Sequence, residues 1–365
     1  MSVTWARSSP VRVLVVDDSA FMRNALTRMI NSEPEFEVVD TASNGSEALS
    51  KIAALNPDLI TLDLQMPELD GIETLRRIMQ QFPRPVIVVS ATGDRDCEAA
   101  LTVLSLGAFD YVPKELASTT LEIAHIRESL VSRLRAAANS VNSEPPTRSS
   151  VPSSLTSDRR PRTADLPAEI VAIGASTGGP GALQQILLML PEELSVPILI
   201  VQHMPDGFIA PLAHRLNSLC SIRIREAEHL ESIEPGVVYI APAGAHMSVQ
   251  RLSQSKTCIW LDSEPSNFMH VPSIDVMMES VAEAYGDRAM GVILTGMGHD
   301  GAEGMKAIHA RGGTTIGQDQ STSLVYSMPG RCAELGLLER TVAVSEIAKV
   351  IVEATRPRTH AQAAP

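Results

Sequence analysis

Aromatic side chains make up only 3% of this 365-residue chain. Any core must therefore be built from Val, Ile, Leu, Met and Ala, and the 44% hydrophobic content is ample for that. Cysteine is as scarce: Cys97, Cys220, Cys258 and Cys332 lie far apart with no C-x-x-C pair. This argues against structural zinc and suits reduced thiols. Basic residues are outnumbered, 30 Lys and Arg against 43 Asp and Glu for a net charge of −13. Nucleic acid is thereby excluded as the main partner, because phosphate binding needs clustered cations. No apolar run is long enough to span a bilayer, and residues 1–10 lack the charged-then-apolar order of a signal peptide. A cytoplasmic, soluble protein is expected.

A low-complexity stretch divides the chain. Residues 139–168 hold Pro145-Pro146, Ser149-Ser150, Pro152-Ser153-Ser154 and Arg159-Arg160-Pro161-Arg162 with little apolar periodicity. Such a segment buries too little surface to offset its ordering entropy, so a flexible linker is expected there. A disordered tail is expected from Thr355. Both flanks alternate short apolar runs with helical patterns, the signature of parallel α/β sheets. Strands are expected at Val11–Val16, Phe36–Thr41, Leu59–Leu64, Val86–Ser90 and Phe109–Val112, with a last helix over about Thr120–Ala138. Beyond the linker they are expected at Ile170–Ile173, Pro197–Gln202, Val237–Ile240, Gly291–Leu294 and Thr314–Ile316. The predicted fold is thus two doubly wound parallel-sheet domains, the first flavodoxin-like, the second a Rossmann-like three-layer domain.

In the first half, Asp17 and Asp18 end the first strand, Asp63 the third and Ser90 the fourth, and Lys114 follows the fifth. Open parallel sheets bind ligands outside the carboxyl ends of their strands, so these distant residues can converge. Each carboxylate pair at about 4 Å and an effective dielectric near 20 costs roughly 4 kcal/mol. A hard divalent ion relieves that repulsion, and Mg²⁺ accepts a few carboxylates plus waters. Asp63 is then the candidate nucleophile toward a phosphoryl group, with Mg²⁺ and Lys114 balancing the charge. The alternative is a set of solvated acids at strand ends.

In the second half, the turn Gly174-Ala175-Ser176-Thr177-Gly178-Gly179-Pro180 follows a strand and precedes a helical pattern at Ala182–Leu190. Such a turn presents a serine hydroxyl beside free helix N–H groups. Serine needs a histidine base, and the histidine needs a carboxylate to set its tautomer. His203 and Asp300 also follow predicted strands. The chain order Ser, His, Asp differs from the Ser, Asp, His of α/β-hydrolases, so that fold is rejected while the triad logic stands. A phosphate-binding glycine turn is the competing reading of Ser176, although neither G-x-G-x-x-G nor a P-loop spacing occurs. His246, His270 and His299 rank below His203, and their spacing matches no H-E-x-x-H metal motif.

The first half resembles the receiver domain of two-component response regulators over about residues 11–130. The likeness rests on Val13-Leu14-Val15-Val16-Asp17-Asp18-Ser19, Asp58 to Pro67 with Asp70-Gly71, Val88-Val89-Ser90-Ala91 and Tyr111-Val112-Pro113-Lys114. It implies phosphorylation at Asp63, Mg²⁺ held by Asp17, Asp18 and Asp63, and a switch made of Ser90, Lys114 and Tyr111. Glu115 follows the lysine where the family usually has proline.

Residues 169–354 resemble the catalytic domain of the chemotaxis protein-glutamate methylesterases, the CheB family. The matching stretches are Ile173 to Pro180, Gln202-His203-Met204-Pro205, Tyr239-Ile240-Ala241-Pro242 with His246-Met247, and Pro272-Ser273-Ile274-Asp275-Val276. Leu294 to Gly298 with Asp300-Gly301, Gln318-Asp319 and Met328-Pro329 continue the likeness. The resemblance implies a hydrolase that cleaves glutamate methyl esters on chemoreceptors, releases methanol and deamidates particular receptor glutamines. Ser176 would attack, His203 would be base then acid, Asp300 would orient His203, and the Met297 N–H would donate to the oxyanion. It further implies a histidine kinase as phosphodonor, membrane receptors met only peripherally, a monomer, and no cofactor in the catalytic half. The unphosphorylated receiver would restrain the esterase. Val271 stands where the family often has arginine and Ser327 where it usually has glycine. A non-catalytic receptor-binding module is the competing reading.

Overall fold

The structure is a computed structural model that describes residues 9–91, 94–114, 120–142, 167–253, 256–264, 268 and 270–356. The chain divides into two compact units, residues 1–144 and 145–365.

The first unit carries β1 (Val11–Val16), α1 (Ala20–Asn31), β2 (Phe36–Ala42), α2 (Gly45–Leu55), β3 (Leu59–Leu62), α3 (Gly71–Gln81), β4 (Val86–Ala91), α4 (Asp94–Ser105), β5 (Asp110–Lys114) and α5 (Thr120–Asn142). The five strands form one sheet in the order β2-β1-β3-β4-β5, and every pairing is parallel. Each of the first three helices starts at a polar cap. Ser19 accepts the Met22 N–H, Asn44 the Glu47 N–H and Asp70 the Glu73 N–H. These caps satisfy N–H groups that a helix start leaves unpaired. The central strands β1 and β3 are buried almost throughout, as a sheet covered on both faces requires. Helix α5 runs four residues into the stretch expected as linker. Residues 143–166 of that stretch lie outside the described residues, as do Glu115 and 357–365; at its far end Ala168 is buried and donates to Ala354 O at 2.9 Å, and Thr355, expected to open a disordered tail, is the buried last residue of α11 (Val344–Thr355).

The second unit opens on β6 (Ile170–Ala175), α6 (Gly179–Leu187), β7 (Ile198–Gln202), α7 (Ile209–Leu219), β8 (Arg223–Glu226) and β9 (Val237–Ile240). A hairpin follows, β10 (His246–Ser253) and β11 (Lys256–Asp262), then α8 (Ile274–Tyr285), β12 (Ala289–Ile293) and α9 (Ala302–Ala310). The unit ends with β13 (Thr314–Gln318), α10 (Ser327–Glu334), β14 (Arg340–Val342) and α11 (Val344–Thr355). Seven strands form a sheet in the order β14-β13-β12-β6-β7-β9-β8, parallel at every junction. The chain builds outward from β6 toward β8 and then restarts at β12 on the other side, so the switch point lies at β6.

Three features depart from the expected elements. The hairpin β10–β11 is antiparallel and stands apart from the main sheet; Met247 and Val249 are buried within the core beside Met277 and Met278 of α8. β8 reads Arg-Ile-Arg-Glu with only Ile224 buried, and β14 spans three residues. Both are edge strands, where charge discourages unwanted pairing and hides the strand from an apolar-run search. Helix α6 begins at Gly179, three residues before the expected start, because Pro180 suits a first helical turn. It ends at Leu187, after which Met189 and Leu190 bond three residues back.

Candidate active site and phosphoacceptor pocket

In the receiver-like unit, β1 and β3 end side by side, so Asp17 and Asp63 meet at the carboxyl edge. Asp17 is fully buried, Asp63 nearly so, and Asp18 is exposed. One carboxylate oxygen from each of Asp17, Asp18 and Asp63 falls within 4.8 Å of the others. The Lys114 ammonium bridges Asp17 Oδ2 and Asp63 Oδ2, both at 2.7 Å. Burial pushes the Asp17 carboxyl up, the nearby Asp63 charge adds to this, and Lys114 opposes it. The backbone shapes the cluster further: Ser19 N–H donates to Asp17 Oδ1 at 2.9 Å, and Arg23 Nη1 donates to the carbonyls of Asp17 and Asp18. Ser90 is buried at the end of β4, and its carbonyl accepts the buried Tyr111 hydroxyl at 2.9 Å. All six residues singled out in this half thus gather at one sheet edge.

In the second unit, β6 and β7 pair with Ala175 opposite Gln202, and His203 N–H donates to Ala175 O at 3.0 Å. Ser176 and His203 are therefore the next residues on adjacent strands, where the sheet opens at its switch point. On the other side of β6, Ser176 N–H donates to Thr295 O at 3.1 Å, which brings the turn after β12 against the serine. That approach demands glycine at 296, where a Cβ would lie 2.1 Å from Met328 Sδ and 2.8 Å from Ser176 Cβ. The Ser176 N–H is engaged, and Gly296 N–H bonds Val325 O. Neither bond uses the N–H of half-buried Met297.

Asp300 sits just before α9, in a turn that Gly301 completes at φ +97°, a conformation suited to glycine. Its Oδ2 lies 2.8 Å from His203 Nε2 and accepts Ile274 N–H at 2.8 Å. Its Oδ1 accepts Ser273 Oγ–H and Asp275 N–H, each at 3.0 Å. Four donors fill the four acceptor positions of the carboxylate. Burial alone would raise the Asp300 pKa, but the bonds from His203 and the two backbone N–H groups outweigh it and hold the carboxyl well below its usual range. An ionised Asp300 only accepts, so Nε2 of His203 carries the proton and Nδ1 bears the lone pair. That Nδ1 is buried with no hydrogen-bond partner among the described residues.

Sequence reasoning left several contributors without a role. Gln202 is 1% exposed, and its Nε2 donates to the carbonyls of Ser176 and His203, both at 2.9 Å. One carboxamide thus ties the serine turn to the histidine turn. Buried Thr295 donates to Thr177 O at 3.0 Å and accepts Val325 N–H at 2.9 Å. The His270 ring stacks on His203 with centroids 4.2 Å apart and planes at 22°. Burial pushes His270 down toward the neutral form, and so does His203 whenever it is protonated. His246 Nδ1 accepts Ser273 N–H at 3.2 Å, and burial lowers its pKa too. His299 is exposed. Side-chain amides and stacked rings have no sequence period, which is why pattern reading misses them. Of the two departures from the family pattern, Val271 lies partly exposed beside His270, and Ser327 opens α10, a helical position that needs no glycine.

A parallel-sheet receiver with an acidic pocket, joined in one chain to a Rossmann-like unit with a Ser, His and Asp at its switch point, defines a response regulator of hydrolase type. Residues 171–351 match the CheB methylesterase family model, and residues 13–125 match the response regulator receiver domain model. The chain is 40% identical over 366 residues to protein-glutamate methylesterase/protein-glutamine glutaminase 1 of Oleidesulfovibrio alaskensis, covering 94% of this chain and 99% of that protein. It is 44% identical over 346 residues to the protein-glutamate methylesterase/protein-glutamine glutaminase of Halalkalibacterium halodurans, covering 94% and 98%. The crystal structure of the Thermotoga maritima CheB methylesterase catalytic domain superposes with a TM-score of 0.50 at 37% identity, covering 52% of this chain and 99% of that one. The chain belongs to the family of protein-glutamate methylesterase/protein-glutamine glutaminases. Among the described residues no helix is long and apolar enough to cross a membrane.

Proposed function

We propose that this protein is a phosphorylation-regulated serine hydrolase that removes methyl esters from chemoreceptor glutamates and deamidates receptor glutamines. The observation that carries the reading is His203, bonded through Nε2 to a saturated Asp300, with Nδ1 unpartnered among the described residues and its backbone N–H on Ala175 O, the residue before Ser176. Ser176 Oγ attacks the ester carbonyl carbon while His203 Nδ1 takes the hydroxyl proton. Asp300 stabilises the resulting imidazolium. The tetrahedral oxyanion is met by the Met297 N–H, which the turn leaves unused. His203 returns the proton to the departing methoxide, and methanol leaves. A water activated by His203 then attacks the acyl-enzyme, releasing glutamate and restoring Ser176. An amide follows the same route with ammonia as leaving group, which gives glutamine deamidation.

Regulation falls to Asp63 as acceptor of a phosphoryl group from a histidine kinase, with Ser90, Lys114 and Tyr111 responding to it. The pocket suits Mg²⁺: three carboxylate oxygens within 4.8 Å form a hard-donor set whose mutual repulsion a divalent cation relieves. Asp17, Asp18 and Asp63 would hold the ion, which supplies charge neutralisation for the phosphoryl oxygens. Lys114 supplies a second positive charge on the same side.

The test is methanol release from methylated receptor membranes, with and without a small-molecule phosphodonor and Mg²⁺. Release that rises with phosphodonor supports both chemistry and regulation. No release from folded protein in either condition overturns the reading in favour of a receptor-binding module.

A further inference from the structure

Asp275 is a half-buried carboxylate in the first turn of α8, and the catalytic chemistry above gives it no task. Its Oδ1 accepts the N–H of Gly301 at 2.9 Å and of Gly304 at 2.8 Å, both at the start of α9. Asp300 in turn accepts the N–H of Ile274 and Asp275 at the start of α8. Gly301, the N-cap of α9, has no side chain to cap with. The two helices therefore exchange caps, each N-terminus closed by a carboxylate from the other segment. Close packing enforces the exchange: a Cβ at Gly304 would lie 2.5 Å from Met278 Cβ and 3.2 Å from Asp275 Cα. Moving Asp275 thus moves the turn that carries Asp300, and Asp300 holds His203.

Resting on the triad reading above, we propose that Asp275 is a positioning residue of the active site, fixing Asp300 against His203 and adding a second negative charge that strengthens His203 as a base. Each carboxylate takes its backbone donors from the start of the other's helix, and the imidazole is the cation they jointly stabilise. Burial raises the Asp275 pKa, the Asp300 charge adds to it, and the Gly304 and Gly301 N–H groups oppose it, leaving the group at about 6. The other titratable groups that face this pair are His203, His246 and His270, with Cys332 of α10. His246 and His270 are pushed toward neutrality by burial, and burial pushes the Cys332 thiol up to about 12. None of these three offsets the Asp275 charge at neutral pH.

The test compares Asp275→Asn and Asp275→Ser with wild type in the full chain, with phosphodonor present. The readouts are kcat, KM and the acid limb of the kcat/KM profile for methanol release. Asn keeps an acceptor for the Gly301 and Gly304 N–H groups but removes the charge. The limb is expected to move down by roughly 0.5–1 pH unit and kcat to fall about threefold to tenfold, with KM within about twofold. The serine variant, with a shorter acceptor, should shift the limb the same way and also lose kcat through a looser Asp300. A wild-type limb and kcat in Asp275→Asn, with an unchanged melting midpoint, overturns the proposal and leaves Asp275 as a helix cap alone. A melting midpoint lowered in both variants with no limb shift in either has the same meaning. Ser176→Ala is run alongside: turnover that survives it removes the triad reading itself, whatever Asp275 does.

Discussion

His203 Nε2 and Asp300 Oδ2 lie 2.8 Å apart although 97 residues separate them in the chain. The bond fixes the imidazole tautomer and leaves Nδ1 as the basic nitrogen. Ser176→Ala therefore removes the proposed nucleophile without disturbing the backbone bonds of the turn. Methanol release should fall by at least ~10³-fold while the melting midpoint changes little.

Asp300→Asn probes the same bond from the other side. An amide offers one acceptor oxygen where four donors converge, so the imidazole loses its fixed tautomer and the N–H groups at the start of α8 lose an acceptor. Activity should fall by roughly 10³–10⁴-fold. Because the native carboxyl is held below its usual range, its stabilising contribution is present above the unfolded value near 3.8 and is lost as pH falls through the lower folded value. Melts from pH 5 down to pH 2 check the sign: acid destabilisation below about pH 4 should be shallower in Asp300→Asn than in wild type.

Gln202→Met keeps the volume of the side chain but removes both Nε2 donors. Two buried carbonyls, of Ser176 and His203, then lose a partner, at a cost of about 1–3 kcal/mol in all. The melting midpoint should drop by several degrees, and kcat should fall more than KM rises, because the two turns lose their shared brace. Denaturant unfolding and steady-state kinetics measure the two effects.

Gly296→Ala places a methyl group 2.1 Å from Met328 Sδ and against Ser176 Cβ. Met328 can shift, but the serine turn must move with it. Overpacking should cost about 1–3 kcal/mol, and esterase activity should fall by more than the folded fraction alone explains. A crystal structure of this variant with Ser176 undisplaced would contradict the account.

Asp63→Asn removes the proposed phosphoacceptor and one of the three carboxylates of the cluster. Mg²⁺ affinity, measured by titration calorimetry, should weaken, and stimulation of methanol release by phosphodonor should disappear. Lys114→Met should instead tighten Mg²⁺ binding, since a cation that bridges Asp17 and Asp63 is gone, while stimulation is still reduced.

Much of this was legible in the chain itself. The first sheet, the inner strands of the second, the strand ends that carry Asp17, Asp63, Ser176 and His203, and the residue types needed for the chemistry all follow from apolar runs punctuated by glycine and polar residues. A parallel strand buried on both faces must be apolar along its length, so its end announces itself where polarity begins. The edge strands β8 and β14 and the hairpin β10–β11 escaped because their burial is partial and their pattern mixed.

Other features needed the folded chain. That Asp300 reaches Nε2 of His203 and leaves Nδ1 unbonded is a matter of ring orientation, and no residue order specifies this. The clamp of Gln202, the stacking of His270 and the exchange of caps between Asp275 and Asp300 join segments 25 to 67 residues apart, closed only when β6, β7 and β12 come into register. Local sequence determines which residues reach the sheet edge, because propensity and burial act over a few neighbours. Tertiary packing alone decides which atoms face one another there, because hydrogen-bond geometry is set by the joint placement of several strands and helices.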